Sequence, residues 1–482
     1  MIKYFTFICL FICSFTSLAQ KRTFEYDASM SGFIATKNNL PFWAISNQYG
    51  LLPDGNGGLM TAGIFSDFNE KHQIQFAYGV SVAGYLSKPD NNVLIDQLYF
   101  STRWKKLRLD LGMIHRDTEF NGISSTNGNI VYSNNARSMP GYNLRSEFIN
   151  IPFTKNILAF KFNLGDYMMI DDRYVDKTRV HNKSLYVKIT PHKGLEFIAG
   201  LEHFVQWSGT SPDYGKQPSS FKDYIRVFFA KSGGDNATTS DAENALGNHL
   251  TGKHFRINYL SDDYTITLYN STLMEDNKPW RFPNFPDGIY GIYFGSNNKN
   301  RWISDIIYEF VYTKYQSGRF HDRDATEEEK KQQNEGDYYY GKIVLGGNDE
   351  YFNNGEYKSG WTLYGRTIGT PLITPNAPNE NGIVLGVYNN RVLGHHIGIK
   401  GVAFGKVPYK AMLTYTLNYG RYNFPLADNT SQAQYSFGLE AEIPEIKRIP
   451  LRFDIGIYGD TGKLLSNNFG VTLKISKKGV IR

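Results

Sequence analysis

Cysteine is nearly missing from this 482-residue chain, which has only Cys9 and Cys13. Both lie in a stretch that reads as a secretory signal. Lys3 precedes an apolar run from Tyr4 to Phe15, too short to span a bilayer, and Ser17-Leu18-Ala19 before Gln20 forms a small-residue cleavage pattern. The expected mature chain therefore starts at Gln20, has no thiol and cannot rely on disulfides. Gln20 also stands where a lipid-modified cysteine would be required. Beyond this stretch no run of 18 or more apolar residues occurs, which excludes a membrane helix and leaves a closed β-barrel as the only way to span. One-signed charge is lacking too: 52 Lys and Arg face 46 Asp and Glu, spread along the chain, so there is no nucleic-acid-binding stripe. G-x-S-x-G, H-E-x-x-H, Walker and G-x-G-x-x-G motifs are all absent, which removes the common hydrolase, metalloprotease and nucleotide sites.

What is present is aromatic and glycine-rich: 34 Tyr, 33 Phe, 6 Trp and 46 Gly. Apolar and polar residues alternate with period two over segments of about ten residues, so successive side chains point to opposite faces of a strand. Ala411, Leu413, Tyr415, Leu417 and Tyr419 oppose Lys410, Met412, Thr414, Thr416 and Asn418. Segments at Gln434 to Ile443, Leu451 to Tyr458, Ile74 to Val82 and Leu195 to Leu201 repeat the pattern. Short helical candidates occur at Phe221 to Ala230 and Thr326 to Gln333. A soluble sandwich also alternates. Strand length, the export signal and aromatics at strand ends (Trp104, Trp207, Trp302, Tyr409, Tyr419, Tyr435) favour a membrane barrel. Short links such as Asn69 to His72 and Lys105-Lys106 alternate with long ones such as His115 to Gly141 and Ser208 to Gly247. This parity requires an odd number of crossings between Lys314 and Phe404. A strand from Arg22 to Met30 would make the total even, between about sixteen and twenty. The expectation is an all-β fold: a large antiparallel transmembrane β-barrel of about 18 strands with long extracellular loops. The expected boundaries are a signal peptide at 1–19, a short periplasmic N-terminal segment at 20–57 and the barrel at 58–482.

Two regions carry binding chemistry. The loop from Asp276 to Asp287 holds Trp280, Arg281, Phe282 and Phe285 among three prolines; aromatic faces stack on sugar rings, and guanidinium groups grip hydroxyls or carboxylates. A loop cap closing the barrel mouth is the alternative use of those aromatics. In the following strand Arg301, Ile303, Asp305, Ile307, Glu309, Val311 and Thr313 share one face, with Trp302, Ile306, Tyr308, Phe310 and Tyr312 on the lipid side. Glu309 is then an internal carboxylate needing partners, with Arg301 or another lumen base expected as its bridge. His395-His396 face opposite ways on a strand, so no shared metal is expected. Asp171-Asp172 with Asp176, and Asp322 with Asp324, read as solvated loop charge. Neither a cofactor nor a metal is expected.

The chain resembles the outer-membrane capsule assembly family called Wzi, in its Bacteroidetes-type form. The likeness is carried by Asp287-Gly288-Ile289-Tyr290-Gly291, by Tyr308 to Thr313 with Gln316-Ser317-Gly318, and by Tyr351 to Gly355 through Trp361, Gly365-Arg366 and Ile368 to Leu372. Asn389-Asn390-Arg391 with His395-His396-Ile397-Gly398 completes the set. The resemblance implies an eighteen-stranded lectin in the outer membrane of a Gram-negative bacterium, one that holds exported capsular polysaccharide and catalyses nothing. It also implies a periplasmic helical bundle ahead of the barrel, for which Arg22 to Gly57 is short. Implied ligand-binding positions are Asp287, Glu309, Tyr312, Gln316, Trp361, Arg366 and Arg391, with Trp280 and Arg281 added on chemistry. The expected partners are capsular polysaccharide, outer-membrane lipid and the capsule export machinery, and no nucleic acid. A saccharide porin is the competing function, and an enzyme housed in the barrel is a third.

Overall fold

The computed structural model describes residues 23–86, 93–243, 245–275, 284–316, 323–324, 326–328, 339–340, 343–344, 349–426, 431–444 and 450–481. The expected signal peptide, Trp280, Arg281 and most of the Thr326 to Gln333 helical candidate lie outside the described residues.

Strand periodicity becomes a closed antiparallel sheet. The first strands are β1 (Phe24–Ala35), β2 (Gly57–Ser66), β3 (Ile74–Tyr85), β4 (Val93–Trp104) and β5 (Leu107–Met113). The next crossing, β6, is Gly141–Ser146 continued by Ile149–Asn150, both parts pairing with β7 (Leu158–Met168). Then follow β8 (Arg179–His192), β9 (Leu195–Trp207), β10 (Asn248–Leu260), β11 (Tyr264–Met274), β12 (Gly288–Ser296) and β13 (Asp305–Tyr312). The last are β14 (Val392–Ala403), β15 (Val407–Asn418), β16 (Gln432–Ile443), β17 (Arg452–Gly462) and β18 (Asn468–Ile481). Pairing of β1 with both β2 and β18 closes the ring, so the 19 segments of the sheet make eighteen crossings. The odd number of crossings required after Lys314 is one, β14. Closure leaves no edge strand to be satisfied in hydrocarbon.

The N-terminal boundary needs correction. Because β1 is hydrogen-bonded on both sides, the barrel wall starts at Phe24 and not at residue 58. Among the described residues no helical bundle precedes it: the helix of this region is α1 (Phe42–Ile45), four residues long, and it packs inside the barrel against β16 and β17.

The outer face carries the expected apolar band, with Leu413 exposed outward and its neighbour Met412 buried inward. At the short-turn end Trp302 meets Phe404 edge-on at 5.0 Å, and the Tyr409 hydroxyl donates to the Trp302 carbonyl at 2.9 Å, a girdle of amphipathic rings. Trp207 departs from this pattern. It is buried under α2 (Phe221–Phe228), which lies against the outside of the wall, so it is no part of the belt.

Two long connections fold back into the lumen and give the barrel a solid core. Ile123, Ile130, Val131 and Met139 from one, with Tyr351, Phe352, Trp361, Leu363 and Ile368 from the other, pack against inward-facing Phe204, Leu250, Tyr269, Ile307 and Val311. Leu40, Trp43 and Ala44 fill the opposite wall against Phe33, Met412 and Tyr458. Each apolar contact here works as in a soluble protein interior, by removing side chains from lumen water.

Candidate functional site

The inner plug is anchored by a buried carboxylate. Glu309 on β13 faces inward, as the alternation requires, but among the described residues it makes no ion pair. Its Oε1 accepts from Ser124 Oγ at 2.5 Å and from the Tyr269 hydroxyl, and its Oε2 accepts from Ser125 N at 2.7 Å and Ser125 Oγ at 2.6 Å. The expected bridge to Arg301 is thus replaced by hydroxyl and amide donors from the plug, which satisfy both oxygens without a second buried charge. His396 does the same on β14: Nδ1 meets Thr414 Oγ1 and Nε2 meets the Ile123 carbonyl, both at 2.8 Å. His395 points outward and stacks against Tyr415, so the pair is split between faces.

Asp287, Gln316 and Arg391 come together at the long-loop end as a second brace. Asp287 accepts from the backbone of Tyr315 and Gln316, both at 2.8 Å, and from the Tyr351 hydroxyl at 2.7 Å. Gln316 Nε2 donates to the Thr313 and Asn390 carbonyls at 3.1 Å, and Arg391 Nε donates to the Lys314 carbonyl at 3.2 Å. The Arg391 guanidinium stands 4.6 Å over the Tyr422 ring. Tyr312 faces outward on β13, on the opposite face from Glu309. Trp361 is fully buried, its Nε1 donating to the Val131 carbonyl at 2.6 Å. Of the implied ligand positions, Glu309, Asp287, Gln316 and Trp361 therefore bind the protein's own plug.

Burial pushes the Asp287 carboxyl up to about 6, from an ordinary value of 3.8. A raised pKa means the folded state keeps a proton that the unfolded chain releases. The Asp287 contribution to stability is then full below about pH 4 and is lost as pH rises through 6, about 3 kcal/mol at most. Asp287→Asn is expected to flatten the urea-unfolding stability profile between pH 4 and 6 relative to wild type. An unchanged slope would refute the assignment.

Arg366 alone of the implied set opens onto a large cleft. This cavity, of about 720 Å³, sits at the long-loop end between the plug and the β15–β17 wall. Its wall is Thr414, Thr416, Asn418, Gln434, Ser436 and Asp460; its loop side adds Phe42, Tyr364, Tyr388, Asp171 and Arg366. Arg366 Nη2 reaches Asp54 Oδ1 at 2.5 Å, and Asp171 accepts from Arg173 and from Tyr364 N, both at 3.1 Å. Asp171 is therefore engaged in protein contacts, a firmer role than solvated loop charge. Hydroxyls, amides, a guanidinium and aromatic faces are the groups that grip a polyol chain. Among the described residues no set of three or more His, Cys, Asp or Glu side chains is placed to hold a metal.

Two further cavities lie on the other side of the plug, toward the short turns. One, of about 320 Å³, includes Asp110, Arg116, Arg145, Lys161 and Glu202; the other, of about 800 Å³, includes Lys410, Glu440, Glu442 and Arg452. Their charges are cross-linked: Asp110 binds Arg108 at 2.6 Å and Arg145 at 3.0 Å, Lys410 meets Glu440 at 3.0 Å and Arg452 meets Glu442 at 2.9 Å.

The sequence pattern placed Thr414, Thr416, Gln434 and Ser436 on the lumen face but gave no sign that they form one wall of a cleft. Tyr364 and Tyr388 carried no periodic signal.

Residues 66–347 match the family described as capsule assembly protein Wzi, more than half of the chain. The chain belongs to the Wzi capsule assembly family. Among solved structures it is similar to Wzi of Escherichia coli, described as an outer membrane protein involved in group 1 capsule assembly and a carbohydrate-binding β-barrel. The identity is 11%, with 96% of this chain and 85% of that chain covered and a TM-score of 0.57, a likeness of fold. OccK3 (OpdO) of Pseudomonas aeruginosa is 9% identical, with 97% of this chain and 98% of that chain covered and a TM-score of 0.49. OccAB4 of Acinetobacter baumannii is 9% identical, covering 96% and 99%, with a TM-score of 0.45. No curated protein matches the chain. The Wzi-family chain is accordingly an outer-membrane β-barrel of a Gram-negative cell.

Proposed function

We propose that this Wzi-family barrel holds an exported capsular polysaccharide at the cell surface, in the cleft at its long-loop end, and performs no reaction. The observation that carries this reading is a polar, aromatic-edged cleft above a lumen filled by the chain's own core. Long loops of outer-membrane barrels face outward, which directs the cleft to the exterior. The carbohydrate binding described for the Escherichia coli protein supports the ligand class. Arg366 is the ligand contact, while Glu309, Asp287, Gln316 and Trp361 position the plug beneath it. Trp280 and Arg281 are proposed as further sugar contacts on their chemistry alone, and their replacement by alanine should lower the cell-retained capsule.

The test is direct binding of capsular polysaccharide from the same strain to purified protein. Arg366→Ala is expected to weaken binding about tenfold, the loss of one charge-assisted hydrogen bond. Because Arg366 also binds Asp54, Asp54→Ala serves as the control that removes the ion pair and keeps the guanidinium. Equal loss in both variants would mean that Arg366 acts by holding the loop. Steady conductance of the wild type in planar bilayers would favour the porin reading instead.

A further inference from the structure

The connection between β9 and β10 leaves the barrel mouth and descends over the outside of the wall. On β8, β9 and β10 the outward residues are apolar up to Leu185, Leu201 and Phe255, and then turn polar, first at Lys253 beside Leu201, next at Lys183, His203 and Thr251, and again at His181 and His249. His181, His249 and Thr251 are nonetheless buried, because α2 lies over this part of the wall. The Tyr224 hydroxyl meets His181 Nδ1 at 3.3 Å, Lys183 donates to the Phe228 carbonyl with its ammonium 4.3 Å over that ring, and Val227 and Leu246 close on Val205 and Trp207. Ser220 and Asp223 form a capping box at the start of the helix.

With its inner face spent on the wall, α2 still shows a second apolar stripe. Phe221, Ile225 and Phe229, one turn apart, are 79%, 40% and 60% exposed. Lys222 and Lys231 flank the stripe, while Arg226 is held by Asp223 at 3.1 Å. The stripe begins where the barrel's own apolar band stops, so it continues that band upward into the headgroup level. Aromatic side chains flanked by lysines on a surface helix are the composition of an element that lies in a membrane interface.

We propose that α2 docks on the outer leaflet, with Phe221, Ile225 and Phe229 entering the acyl boundary and Lys222 and Lys231 meeting the phosphates of lipid headgroups. The helix shields the polar outer wall from lipid and fixes how deep the barrel mouth, and so the outer cleft, sits.

The chain beyond Cys13 is free of cysteine, so Ile225→Cys supplies a single thiol for a polarity-sensitive fluorophore. The labelled protein is placed in phosphatidylcholine nanodiscs, alone or with bis-phosphorylated lipid A or its phosphate-free form. Blue-shifted emission, quenched by lipids brominated near the carbonyl, is expected, with the largest shift for the phosphorylated lipid. Lys222→Glu with Lys231→Glu should weaken retention of that lipid at least tenfold. A label quenched by aqueous iodide in every disc would overturn the proposal. So would equal response to both forms of lipid A, or a shift that grows with protein concentration and yields crosslinked pairs, which would assign the stripe to a second copy.

Discussion

Glu309→Ala is expected to lower the unfolding free energy by about 3–5 kcal/mol, read as a fall in the urea midpoint of the detergent-solubilised barrel. The reasoning starts from the donors left behind. Ser124 Oγ, Ser125 N, Ser125 Oγ and the Tyr269 hydroxyl all converge on this carboxylate in a region without exposure. Truncation orphans all four at once, and a buried donor without an acceptor costs far more than an ordinary hydrogen bond gains. Glu309→Gln should lose roughly half as much. Its amide oxygen still accepts, and the hydroxyls can turn to accept from its NH₂, whereas Ser125 N cannot. Since this carboxylate ties the 120–139 plug to the wall, Glu309→Ala should also speed proteolysis within that segment. An unchanged midpoint would mean that apolar packing alone holds the plug.

The barrel was legible because every crossing must show one face to hydrocarbon, and that obligation imprints period two wherever a strand runs. Loop parity required an odd number of crossings between Lys314 and Phe404, and the structure supplies one, Val392–Ala403. The inward direction of Glu309 followed from the same alternation. Its partners did not, because Ser124 and Ser125 lie more than 180 residues away in a connection without periodicity. Plug residues such as Ile123, Ile130 and Trp361 enter the core singly from irregular backbone, so nothing marks them in advance as interior. Likeness drew attention to Glu309, Asp287, Gln316 and Trp361, and the structure places them in the plug's support. Trp207 looked like a girdle residue because it ends a strand; only the fold of the 208–247 connection shows that it is covered. The cleft residues Tyr364 and Tyr388 needed the plug to be in place before they could be recognised.

Gly398→Val should be as damaging as a buried truncation, for the opposite reason. Gly398 faces inward on β14, where the plug backbone passes so close that a Cβ would overlap the Ile123 carbonyl oxygen. A carbonyl of a packed segment cannot rotate aside as a side chain does, so residues 120–125 must withdraw. They then lose the His396 contact at 2.8 Å and strain the serine contacts to Glu309. Overpacking of this kind costs about 1–3 kcal/mol, and the broken hydrogen bonds add to it. Gly394→Ala is the control on the same strand face: its nearest neighbour is the Thr416 methyl at 3.3 Å, which can give way, so a loss well under 1 kcal/mol is expected. The decisive measurement is a double-mutant cycle. Once Glu309→Ala has released the 120–125 segment, Gly398→Val has little left to displace. The two losses should therefore fall short of additivity by about 1–2 kcal/mol. Strict additivity in the urea midpoints would show that the carboxylate and the glycine act on separate parts of the plug, and would refute the single anchored segment on which the closed lumen depends.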